Sequence, residues 1–132
     1  MPERVIEMMK IHSIQHVSFI VADIARALDF YHGVLGLEIN STRPDLGYPG
    51  AWLQIQSQQI HLLQLPNPDP VEGRPSHGGR DRHVALGISD LESLSAQLAD
   101  AGIHYTLSRS GRRALFCRDP DGNALEFIES ES

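Results

Sequence analysis

The sequence predicts an α+β fold in which one β-α-β-β-β module is written twice in tandem. Three observations predict it. First, "QHVSFIVAD" (15–23) and "RHVALGISD" (82–90) share a His-Val head, an apolar body and a closing Asp; His16 and His83, like Asp23 and Asp90, stand 67 positions apart. Second, "QIHLLQL" and "ALEFIES" align with Ile60 on Leu125, His61 on Glu126 and Leu62 on Phe127, 65 positions apart. Third, a Pro-, Gly- and charge-rich stretch, "PNPDPVEGRPSHGGRD" (66–81), separates the two copies and carries no periodic apolar pattern.

Taken in order, "IQHVSFIVAD" is rich in β-branched and aromatic residues and predicts a strand. Asp23 supplies a helix N-cap, and Ile24, Ala27, Leu28, Tyr31 and Leu35 then recur at helical spacing until Gly36. "LEINSTR", "GAWLQIQ" and "QIHLLQL" predict three strands, the last two joined at a polar turn around "SQQ". After the loop the order restarts. "HVALGISD" is a strand, Asp90 caps a helix with Leu91, Leu94 and Leu98 on its apolar stripe, and Gly102 stops it. "HYTLS", "RRALFC" and "ALEFIE" are the closing strands, the last pair joined by the tight turn "DPDGN". Residues 1–132 are thus expected to form one domain, with modules over about 13–65 and 82–130 joined by loop 66–81. Neither half is large enough to bury a core alone.

The bulk properties narrow the function classes. With 132 residues, 41% of them hydrophobic and 21% charged, the chain should fold around one core. A formal net charge of −6 offers no attraction for nucleic acid or an anionic membrane. No stretch approaches the roughly 20 apolar residues of a membrane helix. "MPERVIEMMK" has no apolar core of a leader peptide, so the cytoplasm is the expected compartment. Cys117, the only cysteine, sits in apolar "ALFC" and reads as an inert core residue.

Strand alternation puts His16, Ser18 and Ile20 on one face and Val17, Phe19 and Val21 on the other. In the repeat, His83, Ala85 and Gly87 oppose Val84, Leu86 and Ile88. The larger apolar face should pack on the helix. The face with His and small residues suits a concave, cavity-lining surface. Two halves related by a pseudo-twofold would bring His16, His61, His83 and Glu126 together. Three imidazoles and a carboxylate suit one divalent ion, Zn, Ni, Co, Fe(II) or Mn. His12, His32, His77 and His104 lack this symmetry and read as surface or loop residues, and "RSGRR" reads as a solvated turn. Ser18 shares the His16 face, Arg112 and Phe116 occupy alternate positions of one strand, and Trp52 plays the same part in the first module. These four are the candidate substrate contacts, and an apolar wall with one Arg suits a small substrate bearing a carboxylate.

The motifs "HVSFIVAD", "DFYHGVLG", "RHVALGISD" and "FCRDPDGNALEFIE" resemble the vicinal oxygen chelate superfamily of glyoxalase I, bleomycin resistance proteins and extradiol dioxygenases, from about Ile14 to Glu129. The resemblance implies a cup-shaped, half-barrel mixed sheet with the helices outside and one divalent metal per site. It also implies a homodimer, in which His16 and His61 of one chain meet His83 and Glu126 of the other. His16, His83 and Glu126 fall on the family's metal positions. The fourth position is Glu in glyoxalase I and Gln in methylmalonyl-CoA epimerase; here it is His61.

The leading function implied is a glyoxalase I-like lyase or isomerase acting through a metal-stabilised enediolate. Glu126 would be its general base, with His61 as a ligand or an acid–base group. Lactoylglutathione lyase carries Arg and Asn where this chain has Ile20 and Leu65, so its glutathione contacts are not matched. The alternatives are an extradiol-type Fe(II) dioxygenase using His16, His83 and Glu126, and a non-catalytic small-molecule binder of the bleomycin-resistance type.

Overall fold

The computed structural model describes residues 8–130; the leader reading of "MPERVIEMMK" rests largely on residues outside that range. The chain forms β1 (His16–Val21), α1 (Ile24–Leu28), β2 (Glu38–Asn40), β3 (Gly50–Ile55), β4 (Gln58–Gln64), β5 (His83–Ile88), α2 (Leu91–Asp100), β6 (Tyr105–Leu107), β7 (Ala114–Arg118) and β8 (Ala124–Glu129). The fold is α+β, as the repeat implied. Two open, four-stranded mixed sheets have matching orders, β1-β4-β3-β2 and β5-β8-β7-β6. In each, the first strand runs parallel to the last and the others pair antiparallel.

The predicted caps form. Asp23 Oδ1 accepts from the amides of Ala25 and Arg26, and Asp90 Oδ1 from that of Ser93. The first helix differs from a simple α-helix. It is α-helical only to Leu28 and continues as a π-helical segment over Asp29–Val34, with the Leu35 amide reaching back to the Phe30 carbonyl. The wider turn directs two large neighbours, Phe30 and Tyr31, inward together, and both are buried. The other trims are shorter strands: "LEINSTR" keeps only Glu38–Asn40 and "RRALFC" begins pairing at Ala114.

One hydrophobic cluster draws on both modules, with Phe30, Leu53 and Leu62 from the first and Leu98, Leu115 and Phe127 from the second. Polar ties cross between the modules as well. The Tyr31 hydroxyl donates to Asp119 at 2.8 Å, Arg26 pairs with Asp121 at 2.8 Å, and Asn123 Nδ2 donates to the Ile20 carbonyl. β1 and β5 are each the edge of their own sheet, and no ladder joins them. Val17–Ile20 face His83 and Val84 across a cavity of about 360 Å³, and Ile14, His16 and Val17 face Val84–Gly87 across a smaller one. The two edges therefore run antiparallel past each other near Val17 and Val84, the positions a pseudo-twofold relates.

Segment 66–81 packs on the second sheet. A single 3-10 turn over Gly78–Arg80 sits against β7 and β8, where a side chain on Gly78 would meet Phe116 and Ala124. Cys117 is buried, and burial pushes its thiol up to about 12, which suits the inert role expected of it. Among the described residues no helix is long and apolar enough to cross a membrane.

Candidate metal centre

The strand order β1-β4-β3 sets His16, His61 and Trp52 side by side on three adjacent strands. Trp52 is directly opposite His61 in the β3–β4 register, while Ser18 is opposite His61 in the β1–β4 register. The rings stack. His16 and His61 have centroids 4.0 Å apart at 14°, and Trp52 and His61 4.6 Å apart at 10°. His61 is held between its two neighbours, with only its edge free to meet a ligand. Each imidazole also touches a glutamine oxygen, His16 Nδ1 to Gln15 at 2.6 Å and His61 Nε2 to Gln59 at 2.7 Å. An amide oxygen only accepts, so those nitrogens carry the protons and His16 Nε2 and His61 Nδ1 keep their lone pairs. Burial, and then neighbouring His16 and Arg43, push the His61 imidazole below its ordinary value.

The second sheet repeats the arrangement on β5-β8-β7. Glu126 stands opposite Ala85 on β5 and Phe116 on β7, the counterparts of Ser18 and Trp52. His83 Nε2 lies 3.2 Å from Glu126 Oε1. His83 Nδ1 lies 2.8 Å from the Asp81 carbonyl, which accepts its proton and leaves Nε2 with the lone pair. A lone pair and a carboxylate oxygen at this distance require a shared proton or a cation. Two ligand atoms bound to one ion at about 2.1 Å are themselves about 3 Å apart, so the pair fits a divalent ion.

Asp81 is in turn fixed by Arg118 at 2.8 Å, Arg74 at 3.1 Å and the Arg82 amide. Burial alone would raise its carboxyl, but these hydrogen bonds outweigh that and hold it below the usual carboxylate range. The sequence reading missed this support. Its signal was the Arg and Asp content of the segment read only as a loop.

The four expected ligands are thus brought together as two pairs, His16 with His61 and His83 with Glu126. Among the described residues, no three His, Cys, Asp or Glu side chains are gathered to hold one metal. Ser18 is exposed on β1 and shares the 360 Å³ cavity with His83. Phe116 is buried and meets His83 edge-on at 5.1 Å. Arg112 precedes β7 rather than lying on it, because pairing begins at Ala114, yet it lines a cavity of about 380 Å³ with His83, Phe116 and Glu126. His77 is a loop residue, as the sequence implied, but not a surface one. It is only 8% exposed, bonded through Nδ1 to Thr106 Oγ1 at 2.7 Å and edge-on to Phe116. Its burial follows from Gly78 and Gly79, whose bare backbones press against Phe116 and the His77 ring.

Residues 13–127 match the family model described as Glyoxalase/Bleomycin resistance protein/Dioxygenase superfamily. The chain is 30% identical over 126 residues to the protein named Glyoxylase I 4 of Arabidopsis thaliana, covering 91% of this chain and 72% of that one. It is 29% identical to the lactoylglutathione lyase of Haemophilus influenzae, covering 90% and 93%. Its fold superposes with a TM-score of 0.78 on the crystal structure of a putative glyoxalase family protein from Bacillus anthracis, at 23% identity, covering 95% of this chain and all of that one.

Proposed function

This chain belongs to the Glyoxalase/Bleomycin resistance protein/Dioxygenase superfamily, and on that premise we propose that it is a metal-dependent lyase or isomerase of the glyoxalase I type. Its substrate is a small molecule with vicinal oxygens. The observation that carries the reading is the His83–Glu126 pair, 3.2 Å apart, with the His83 proton committed to the Asp81 carbonyl. It is half of a divalent-ion site. The stacked pair His16 and His61 supplies nitrogen lone pairs for the other half, and a homodimer completes the site by setting the first sheet of one chain against the second sheet of its partner.

When bound, the ion supplies Lewis acidity to the vicinal oxygens of the substrate. Glu126 takes the proton from the hydroxyl-bearing carbon beside the substrate carbonyl and returns it to the carbonyl carbon, while the hydroxyl proton passes to the former carbonyl oxygen, so hydrogen is redistributed without net oxidation. Trp52 and Phe116, on equivalent strands, form apolar walls that exclude water. His61, clamped in its ring stack, presents one nitrogen without a change of rotamer.

Turnover of hemithioacetals of 2-oxoaldehydes in deuterated water tests the proposal. Solvent deuterium entering the product with no oxygen consumed supports it. A second reading, an extradiol-type Fe(II) dioxygenase, draws on one observation: His61 Nε2 is taken by Gln59 and both ring faces are covered. His61 could then stand aside and leave His16, His83 and Glu126 as three ligands. Oxygen uptake matched to loss of a catechol would favour that reading and sink the first.

A further inference from the structure

The chain's arginines divide into two groups. Among the described residues, Arg26, Arg74, Arg82, Arg113 and Arg118 each pair with a carboxylate, and Arg43 donates to the Tyr48 carbonyl. The guanidinium groups of Arg80, Arg109 and Arg112 make no such bond among the described residues, and all three line the 380 Å³ cavity that holds His83 and Glu126. Two different segments bring them there: Arg80 comes from the 3-10 turn on the second sheet, and Arg109 and Arg112 from the bend before β7. Glu126 is the one acidic residue among those lining the cavity. In a chain of net charge −6, three uncompensated cations converge on the place where the chemistry is proposed to occur.

We infer that this cavity selects substrates carrying an anionic head group, a carboxylate or a phosphonate, beside the vicinal oxygens, with Arg80, Arg109 and Arg112 as its receptors. The inference rests on the proposed function for the position of the oxygens, but not for the anion site itself. A divalent ion would add to the positive charge of the three guanidiniums, and one carboxylate cannot balance that total; an anionic substrate can. Guanidinium forks are suited to planar carboxylate and tetrahedral phosphonate oxygens alike. The serines of the same bend, Ser108 and Ser110, bond each other at 2.8 Å and hold the bend that carries Arg109 and Arg112.

Calorimetric titration of the full chain, stripped of metal with a chelator, tests this with malonate, phosphonoacetate and neutral malonamide. Malonate or phosphonoacetate should bind while malonamide does not, and the tighter of the two anions identifies the head group. The Arg109→Gln/Arg112→Gln double variant should lose about tenfold or more in affinity, and Arg80→Gln a smaller factor. Both change exposed side chains that bond no partner among the described residues, so folding should be kept. Arg113→Gln removes a neighbouring charge that is already paired with Glu129, and should bind as the wild type does. Equal binding of malonamide, absence of binding by either anion, an unchanged double variant, or an equal loss in Arg113→Gln would each overturn the inference. Metal content of the same proteins separates the two ideas. Arginine-dependent malonate binding in a chain that takes up no metal leaves the anion site standing and removes the enzyme reading; normal metal uptake without anion binding does the reverse.

Discussion

The Tyr31 hydroxyl donates to Asp119 Oδ2 at 2.8 Å, joining the π-helical segment of the first module to the closing turn of the second. Both groups are buried. Asp119 also accepts from the Asn123 side chain and from the amides of Asp121 and Asn123, so the turn is organised around one carboxylate. Burial raises the Asp119 carboxyl, and those donors oppose the rise. Burial, and then the Asp119 charge, hold the Tyr31 phenol well above its usual value. Removing the hydroxyl with Tyr31→Phe leaves the ring packing in place but deletes one donor to a buried carboxylate. It should cost about 1.5–3 kcal/mol, read as a lower denaturation midpoint with an unchanged urea slope.

Gly122 has φ +83°, and a Cβ there would lie 2.8 Å from the Val71 carbonyl oxygen. Gly122→Ala should therefore destabilise by about 1–2 kcal/mol from backbone strain alone, and by more because backbone rather than a flexible side chain must yield. Thermal unfolding of the variant checks this, and an unchanged midpoint would contradict the packing of segment 66–81 on the turn.

The ion pair between Arg113 and Glu129, 3.0 Å, sets a pH dependence. The Arg113 hydrogen bond, and then the Leu91 amide, lower the Glu129 carboxyl from its ordinary 4.5. A carboxyl lowered by folding contributes stability that is complete above its ordinary value and lost as pH falls through the lowered one. Arg113→Gln should thus reduce the urea midpoint at neutral pH, and the gap to the wild type should close as pH falls through the lowered Glu129 value. A gap that persists at low pH would mean that Arg113 acts through packing instead.

The stacking of Trp52 on His61 gives a prediction of its own. Trp52→Ala should cost about 1 kcal/mol beyond the lost burial and free the His61 ring. Metal affinity should fall by about tenfold or more, as when a residue supporting a ligand is lost. An unchanged metal affinity would argue that His61 does not depend on the stack.

The repeat was legible because strands alternate faces. His16 and His83, or His61 and Glu126, could be matched by offset alone, and the structure sets them in equivalent registers. The capping aspartates were legible because their chemistry is local. What escaped the sequence was what depends on packing at a distance. The burial of His77 needs Gly78 and Gly79 to press on Phe116, and the anchoring of His83 needs Arg74 and Arg118 to fix Asp81. Neither contact has a periodic signature. The helix was predicted as a single run to Leu35 because α and π turns share an apolar pattern over so few residues. The convergence of Arg80, Arg109 and Arg112 was hidden for a related reason: they come from two irregular segments about thirty positions apart.

The most direct test of the central claim is the metal content of the full chain by elemental analysis, beside His83→Ala and His61→Ala variants. The proposal predicts near-stoichiometric divalent metal in the wild type, almost none in His83→Ala, and a clear reduction in His61→Ala. A wild type without metal that takes none up on reconstitution, or a His83→Ala variant that keeps it, would contradict the metal centre built here.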